Sequence, residues 1–290
     1  MILVVGSTGS LGTSVVRGLI ASHHKVAALV RDAAGEVSKA LRSAGAALVV
    51  GDLKYRSMLD AALRGIDTVI CTANSMRSRG DGDSIATVDA KGVQNLIDAT
   101  EAAGIKRFIF VSISPSIRDD FPLAAAKRAA ERRLASSTLD YTLLQPSCFA
   151  EVWFSPAVGF DAGNGKVRVY GDGQAKVSYV VGEDVARAVI ACLGNARASR
   201  KAIPIGGPKA ISQLEAVALA ERATGKKIQL EFMSAEQIAA ARQGATDPMM
   251  QSFLGLFDYV AKGDEIPTDW ARILGVNPQS MDEWISRSLH

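Results

Sequence analysis

The sequence predicts an α/β protein, a doubly wound parallel sheet with a smaller C-terminal α/β lobe. Three observations lead there. An apolar strand, residues 1–5, runs directly into Gly6-Ser7-Thr8-Gly9-Ser10-Leu11-Gly12. Strand-like and helix-like segments then alternate to about residue 146, the rhythm of consecutive βαβ units. Beyond Pro146 that rhythm gives way to short strands and helices.

Residues 1–5 are apolar throughout, as expected of a parallel strand buried on both faces. From residue 9 to 20, Leu11, Val15, Val16, Leu19 and Ile20 recur at helical spacing. The glycines therefore sit where a strand turns into a helix. Gly6 permits the tight turn, Gly9 lets the backbone approach a pyrophosphate, and Gly12 lets the helix pack closely on the sheet. The open amides of the first turn face the phosphates, and Ser7, Thr8 and Ser10 add hydroxyls. No G-K-[ST] follows, which argues against a P-loop enzyme.

Residues 26–30 form the second strand, closed by Arg31-Asp32. An NAD site usually has an acidic residue here for the ribose 2′-OH, whereas a guanidinium suits a 2′-phosphate. Arg31 therefore favours NADP(H) over NAD(H), with Asp32 one position past the contact. The third strand, residues 47–50, ends in Gly51-Asp52-Leu53. Asp52 has two compatible readings: an acceptor for the adenine amino group with Leu53 against the ring, or a cap for the helix starting near Ser57. The fourth strand, residues 68–71, leads to Thr72-Ala73-Asn74, where small residues let the backbone lie beside a cofactor. A helix over 84–103, a strand over 107–111, a helix over 123–135 and a strand over 140–144 complete six strands. The crevice is expected at their carboxyl ends.

In the second half, residues 166–170 and 176–181 read as strands, and 183–193 as an amphipathic helix returning to the core behind a Glu183-Asp184 cap. Residues 202–205 are a strand stopped by Gly206-Gly207-Pro208. Ser212 and Glu215 form a capping box for the helix 213–224, which Gly225 ends. A strand over 228–232 and helices over 235–242, 247–262 and 280–289 follow. The expected division is a nucleotide-binding domain, residues 1–150, and a smaller substrate or partner lobe, residues 151–290, interleaved with it.

Composition is that of an ordinary globular chain: 48% hydrophobic, 22% charged, net charge +3. No basic stripe stands out, so direct nucleic-acid binding is not expected. Cys71, Cys148 and Cys192 are widely separated in apolar surroundings, which suits a reduced, cytoplasmic protein. With only three histidines, no metal is expected. No signal peptide and no stretch of transmembrane length are visible.

After the fifth strand the chain reads Val111-Ser112-Ile113-Ser114-Pro115-Ser116. The next helix carries Leu123-Ala124-Ala125-Ala126-Lys127, and the sixth strand holds Tyr141-Thr142-Leu143-Leu144-Gln145-Pro146. With Gly6 to Gly12, Arg31 and Gly51-Asp52, this layout resembles the short-chain dehydrogenase/reductase superfamily over nearly its full length. It is most similar to the atypical NmrA-like branch, which includes quinone oxidoreductases, triphenylmethane reductases and isoflavone-reductase relatives. The resemblance implies a Rossmann-type fold, NAD(P)H binding, Lys127 as the cation holding the nicotinamide ribose, and Ser114 or Ser112 as the family's serine. It also exposes a departure: the Tyr of Tyr-x-x-x-Lys falls on Leu123, so the usual acid is missing.

Phe149, Trp153, Phe154 and Tyr179 cluster near the expected mouth. They are read either as packing between lobes or as an apolar pocket stacking a planar acceptor, with Pro146 and Phe149 beside the nicotinamide. Phe253, Phe257 and Trp270 are weaker candidates for the same pocket. Two functions follow. One is an NADPH-dependent oxidoreductase passing hydride to a quinone or similar planar acceptor, with Lys127 and Ser114 as the catalytic pair. The other is a non-catalytic NADP(H) sensor or assembly scaffold that binds a protein partner or a second copy.

Overall fold

The computed structural model describes residues 1–76 and 80–288. The first half contains β1 (Ile2–Val5), α1 (Ser10–Ala21), β2 (Val26–Val30), α2 (Glu36–Ser43), β3 (Ala47–Val50), α3 (Arg56–Ala62), β4 (Thr68–Cys71), α4 (Val93–Ala102), β5 (Arg107–Val111), α5 (Pro122–Ala135) and β6 (Asp140–Pro146). The second contains α6 (Ala150–Trp153), β7 (Phe160–Asp161), β8 (Lys166–Tyr170), β9 (Lys176–Val177), α7 (Gly182–Ala191), β10 (Lys201–Ile205), β11 (Ile211–Ser212), α8 (Gln213–Thr224), β12 (Gln229–Met233), α9 (Ala235–Gly244), α10 (Pro248–Lys262), α11 (Asp269–Leu274) and α12 (Met281–Ser288). The helix expected over 280–289 is α12, and Leu289 lies outside the described residues.

A seven-stranded sheet in the order β10-β6-β5-β4-β1-β2-β3, parallel throughout, is the centre of the molecule. This is the Rossmann-type doubly wound sheet. Along β1 the side chains alternate between two cores: Ile2 and Val4 join one cluster, Leu3 and Val5 another. Both faces are covered, which is why the strand reads as a continuous apolar run. One face packs under α1, α7 and α11, the other under α3, α4 and α5.

The sheet has one strand more than expected. Residues 202–205 lie not in the smaller lobe but in β10, parallel to β6, with Ile203 opposite Leu144. Ile203 and Ile205 are buried there, so the edge at β6 is paired. The strand expected over 176–181 is only β9, which pairs with β11; Val180 beyond it makes a single bridge to Phe149. The helix expected over 84–103 is two helices. Ile85–Gly92 is π-helical, started by a Ser84/Thr87 capping box, and α4 continues from it.

The remaining strands form a small sheet, β12-β8-β7. Together with α6, α8, α9, α10 and α12 it encloses a third apolar core. Among the described residues no helix is long and apolar enough to cross a membrane, and no group of three or more side chains is arranged to hold a metal ion. All three cysteines are buried thiols.

Candidate functional site: a dinucleotide crevice with a buried lysine

Strands β1 and β4 are neighbours in the sheet, although β2 and β3 lie between them in the chain. Their connections leave in opposite directions, so a crevice opens at their carboxyl ends. Gly6 follows β1 with φ +80°, and a Cβ there would lie 2.7 Å from the Ala73 amide nitrogen. A Cβ on Gly12 would lie 2.1 Å from the Gly6 carbonyl oxygen, which is why α1 can approach the turn. Thr8, Gly9 and Ser10 form the exposed rim.

Helix α1 starts at Gly9 with no side-chain cap and no acidic residue in its first turn. Its leading amides and the positive end of its dipole therefore remain available to an anion. The open rim, the close glycine contacts and the uncapped helix start fit a dinucleotide pyrophosphate. Ser7 differs from expectation: it is buried, and its hydroxyl donates to the Leu29 carbonyl at 2.7 Å, tying the turn to β2 rather than facing a phosphate.

At the end of β2, the exposed Arg31 guanidinium pairs with the carboxylate of Asp83. That carboxylate also takes the Lys54 ammonium and, at 2.6 Å, the Gly80 amide. Burial would raise the Asp83 carboxyl, but Lys54, the Gly80 amide and Arg31 hold it below the ordinary carboxylate value. Asp52 caps locally: it accepts from the Lys54 amide at 2.9 Å and lies 3.3 Å from the Lys54 ammonium. Leu53 is buried in the core cluster on that face of the sheet, beside Gly92 at the base of α4. Asp32 turns back to the Ala34 amide, and exposed Asn74 accepts from the Met76 amide.

At the ends of β4 and β5, Lys127 is 5% exposed. Its ammonium donates to the carbonyls of Val111 (3.1 Å) and Ala73 (3.4 Å) and lies 4.8 Å from the centre of the Phe110 ring. The π-helical turn carries Asp89 inward to accept from the Ser75 amide and hydroxyl. Burial raises the Asp89 carboxyl, against the pull of Lys127. Buried atoms with no hydrogen-bond partner among the described residues include Asp89 Oδ1 and Ser112 Oγ.

Ser114 departs from the role expected of it. It is fully buried, donates to Asp264 at 2.6 Å, and accepts from the Ser116 amide. Tyr259 also donates to Asp264 and lies 3.2 Å from the Ser147 hydroxyl. Burial, with Cys148 and Asp264 nearby, pushes the Tyr259 phenol far up. It is not an obvious substitute for the missing acid. Leu123 is buried, and its amide donates to Ser252.

The aromatic residues divide. Phe154 packs on Tyr179 at 4.6 Å and on Phe160 at 5.1 Å; Trp153 meets Tyr170 and Phe257 edge-on. Phe257 stacks on Tyr170 at 4.0 Å, and Phe253 lies beside it. Trp153, Phe154 and Tyr179 therefore belong to the core of the lobe, where all three are buried. Trp270 joins neither group: it lies in the core under the main sheet, donating to the Gly206 carbonyl. Phe149 is half-buried just beyond Pro146 and remains at the crevice end of β6.

Sequence reasoning missed Lys54, Asp83, Asp89, Tyr259 and Asp264. Tyr259 sits in an apolar helical pattern that disguises it as core, and Asp264 after Gly263 reads as a loop carboxylate.

Known proteins are similar to this chain in sequence or in fold. A photosystem II assembly factor from Synechocystis sp. is 34% identical over 232 residues, covering 79% of this chain and 69% of the relative. An NAD(P)H azoreductase from Xenophilus azovorans is 29% identical over 86% of this chain and 82% of its own length. An NADPH-dependent quinone oxidoreductase from Escherichia coli, solved with NADPH, superposes over 100% of both chains with a TM-score of 0.80 at 22% identity. The NmrA-like family model matches residues 1–285, and the chain belongs to that family.

Proposed function

We propose that the protein is an NADP(H)-dependent oxidoreductase acting on a quinone or similar planar conjugated acceptor. The observation that carries this reading is Lys127, a buried cation fixed by two main-chain carbonyls beside a glycine cradle. Two of its three N–H donors are engaged, and among the described residues the third has no hydrogen-bond acceptor. That donor suits a ribose hydroxyl. In this reading the uncapped start of α1 takes the pyrophosphate, and Arg31, at the end of β2 and paired with Asp83, takes the 2′-phosphate.

NADPH supplies the hydride when bound. Phe149 offers a half-buried ring next to the reacting face. Ser112, with its unpartnered hydroxyl, replaces Ser114 as the serine able to contact a ligand. With no tyrosine at position 123 and Tyr259 engaged by Asp264, the proton comes from solvent. This restricts the acceptor to one whose reduction needs little acid assistance, and leaves orientation and water exclusion as the chain's contribution. The names of the azoreductase and quinone oxidoreductase relatives agree with such an acceptor.

The test is incubation with NADPH and a panel of quinones and azo dyes, followed by loss of the reduced-nicotinamide absorbance. Stimulated oxidation is expected with at least one acceptor; none with any would overturn the reading. Arg31→Ala is expected to weaken NADP(H) binding far more than NAD(H) binding.

Leu123 favours a second reading, an NADP(H)-sensing assembly scaffold, and the assembly-factor relative agrees with it. Partner capture that changes when NADP(H) is added supports it. Identical capture with and without the nucleotide rules out the sensing form.

A further inference from the structure

The cation pair at the adenosine end already holds an anion. Arg31 projects from the end of β2 and Lys54 from the turn after β3, two parallel neighbours in the sheet. Both point at one carboxylate, that of Asp83, whose side chain is only 3% exposed. Opposite oxygens are engaged: Oδ2 by Arg31 and the Gly80 amide, Oδ1 by Lys54. Lys54 is fixed further by the Asp81 carbonyl at 3.0 Å and by Asp52. Gly80 lies so close to the guanidinium that a Cβ there would meet Arg31 Nη1 at 2.9 Å.

Two cations and an amide converging on two oxygens is the donor set a phosphate monoester needs. We propose that Lys54 is the second cation of the 2′-phosphate site and that Asp83 is an internal carboxylate that a 2′-phosphate must displace. Asp83 thereby sets the preference between the two nucleotides. The proposal rests on the nucleotide-binding reading above and adds to it which residues discriminate.

The reasoning is electrostatic. A 2′-phosphate entering between Arg31 and Lys54 meets a carboxylate already there, and like charges at contact disfavour one another. A ribose bearing only a 2′-OH brings no such conflict and can donate to the same carboxylate, as acidic residues do in NAD sites. Asp83 therefore weakens NADP(H) relative to NAD(H), whereas Arg31 and Lys54 act in the opposite sense. Asp83→Asn keeps the shape and removes the charge. Lys54→Gln removes one cation and leaves Arg31.

The test is titration of the full chain with NADPH and with NADH, following nucleotide fluorescence, for the parent protein and both variants. Asp83→Asn is expected to tighten NADPH roughly tenfold relative to NADH, the scale of one charge contact of about 1.4 kcal/mol. Lys54→Gln is expected to weaken NADPH by a similar factor and leave NADH nearly unchanged. Thermal melts check that each variant is folded; should Asp83→Asn not fold, Lys54→Gln still decides the role of the second cation. An unchanged NADPH-to-NADH ratio in both folded variants overturns the proposal while nucleotide binding stands. Failure of the parent protein to bind either nucleotide overturns the nucleotide-binding reading as well.

Discussion

Ser114 donates a 2.6 Å hydrogen bond to Asp264 across 150 residues of chain. The bond joins the end of β5 to the loop after α10, and Tyr259 reaches the same carboxylate. The loop is held by its backbone too: the Asp264 amide donates to the Lys176 carbonyl, and the Asp264 carbonyl accepts from the Ser178 amide, both at 2.8 Å. The C-terminal lobe is therefore tied to the carboxyl end of the sheet by a small buried polar network.

Asp264→Ala should destabilise the fold by about 3 kcal/mol, because two buried hydroxyls lose their charged acceptor together. Tyr259→Phe should lose about 1–2 kcal/mol, since only one donor is removed. Denaturant unfolding at constant m-value measures both; equal and negligible effects would show that the network contributes nothing to stability.

Lys127→Met should weaken NADPH binding roughly tenfold or more, the scale of one charge-assisted hydrogen bond. The unbranched side chain fills most of the same buried space, so the melting temperature is expected to change little. A parallel loss of stability and affinity would identify Lys127 as a structural cation between β4 and β5 instead.

Gly12→Ala should cost about 3 kcal/mol and impair nucleotide binding, since the new methyl would press on the Gly6 carbonyl and force α1 from the turn. Gly244→Ala provides the contrast. No atom lies within 4 Å of a Cβ built there, at the end of α9, so that change should be neutral or stabilising by up to about 1 kcal/mol. Thermal melts of the two variants separate close packing from a general glycine effect.

Acid should remove a specific contribution. The Arg133 guanidinium first, then the Thr138 amide, hold the Glu101 carboxyl down from 4.5 to about 2. A depressed carboxyl stabilises fully above its unfolded value, and its contribution is lost as pH falls from 4.5 through about 2. Because the pair is partly solvated, about 1 kcal/mol is expected. Glu101→Gln should flatten stability across that window, read from denaturant midpoints at each pH.

Much of the cofactor half was legible from local pattern. The run of apolar residues before Gly6, the helical spacing after it, and the glycine steps are short-range features whose geometry follows from strand and helix periods. Arg31 was found the same way, by its position at a strand end, whereas Lys127 stood out only through the family resemblance, since a lysine on a helix is by spacing alone an ordinary solvated residue. Period does not reveal which side chains meet across the fold. Nothing near Ser114 in the chain announces Asp264, and nothing near Arg31 announces Asp83. The aromatic residues near 153 looked like a mouth because sequence proximity to β6 was visible and the enclosing β8 and α10 were not.

The alternation of strands and helices was enough to specify the parallel sheet and the glycine turn after β1, since each follows from hydrogen bonding and burial within a few residues. Tertiary packing decided the rest. It added residues 201–205 to the main sheet, consumed the Ser114 and Tyr259 hydroxyls on a distant carboxylate, and set Asp83 between two cations. Buried polar groups must find partners wherever the folded chain brings them, and that pairing is a property of the assembled core.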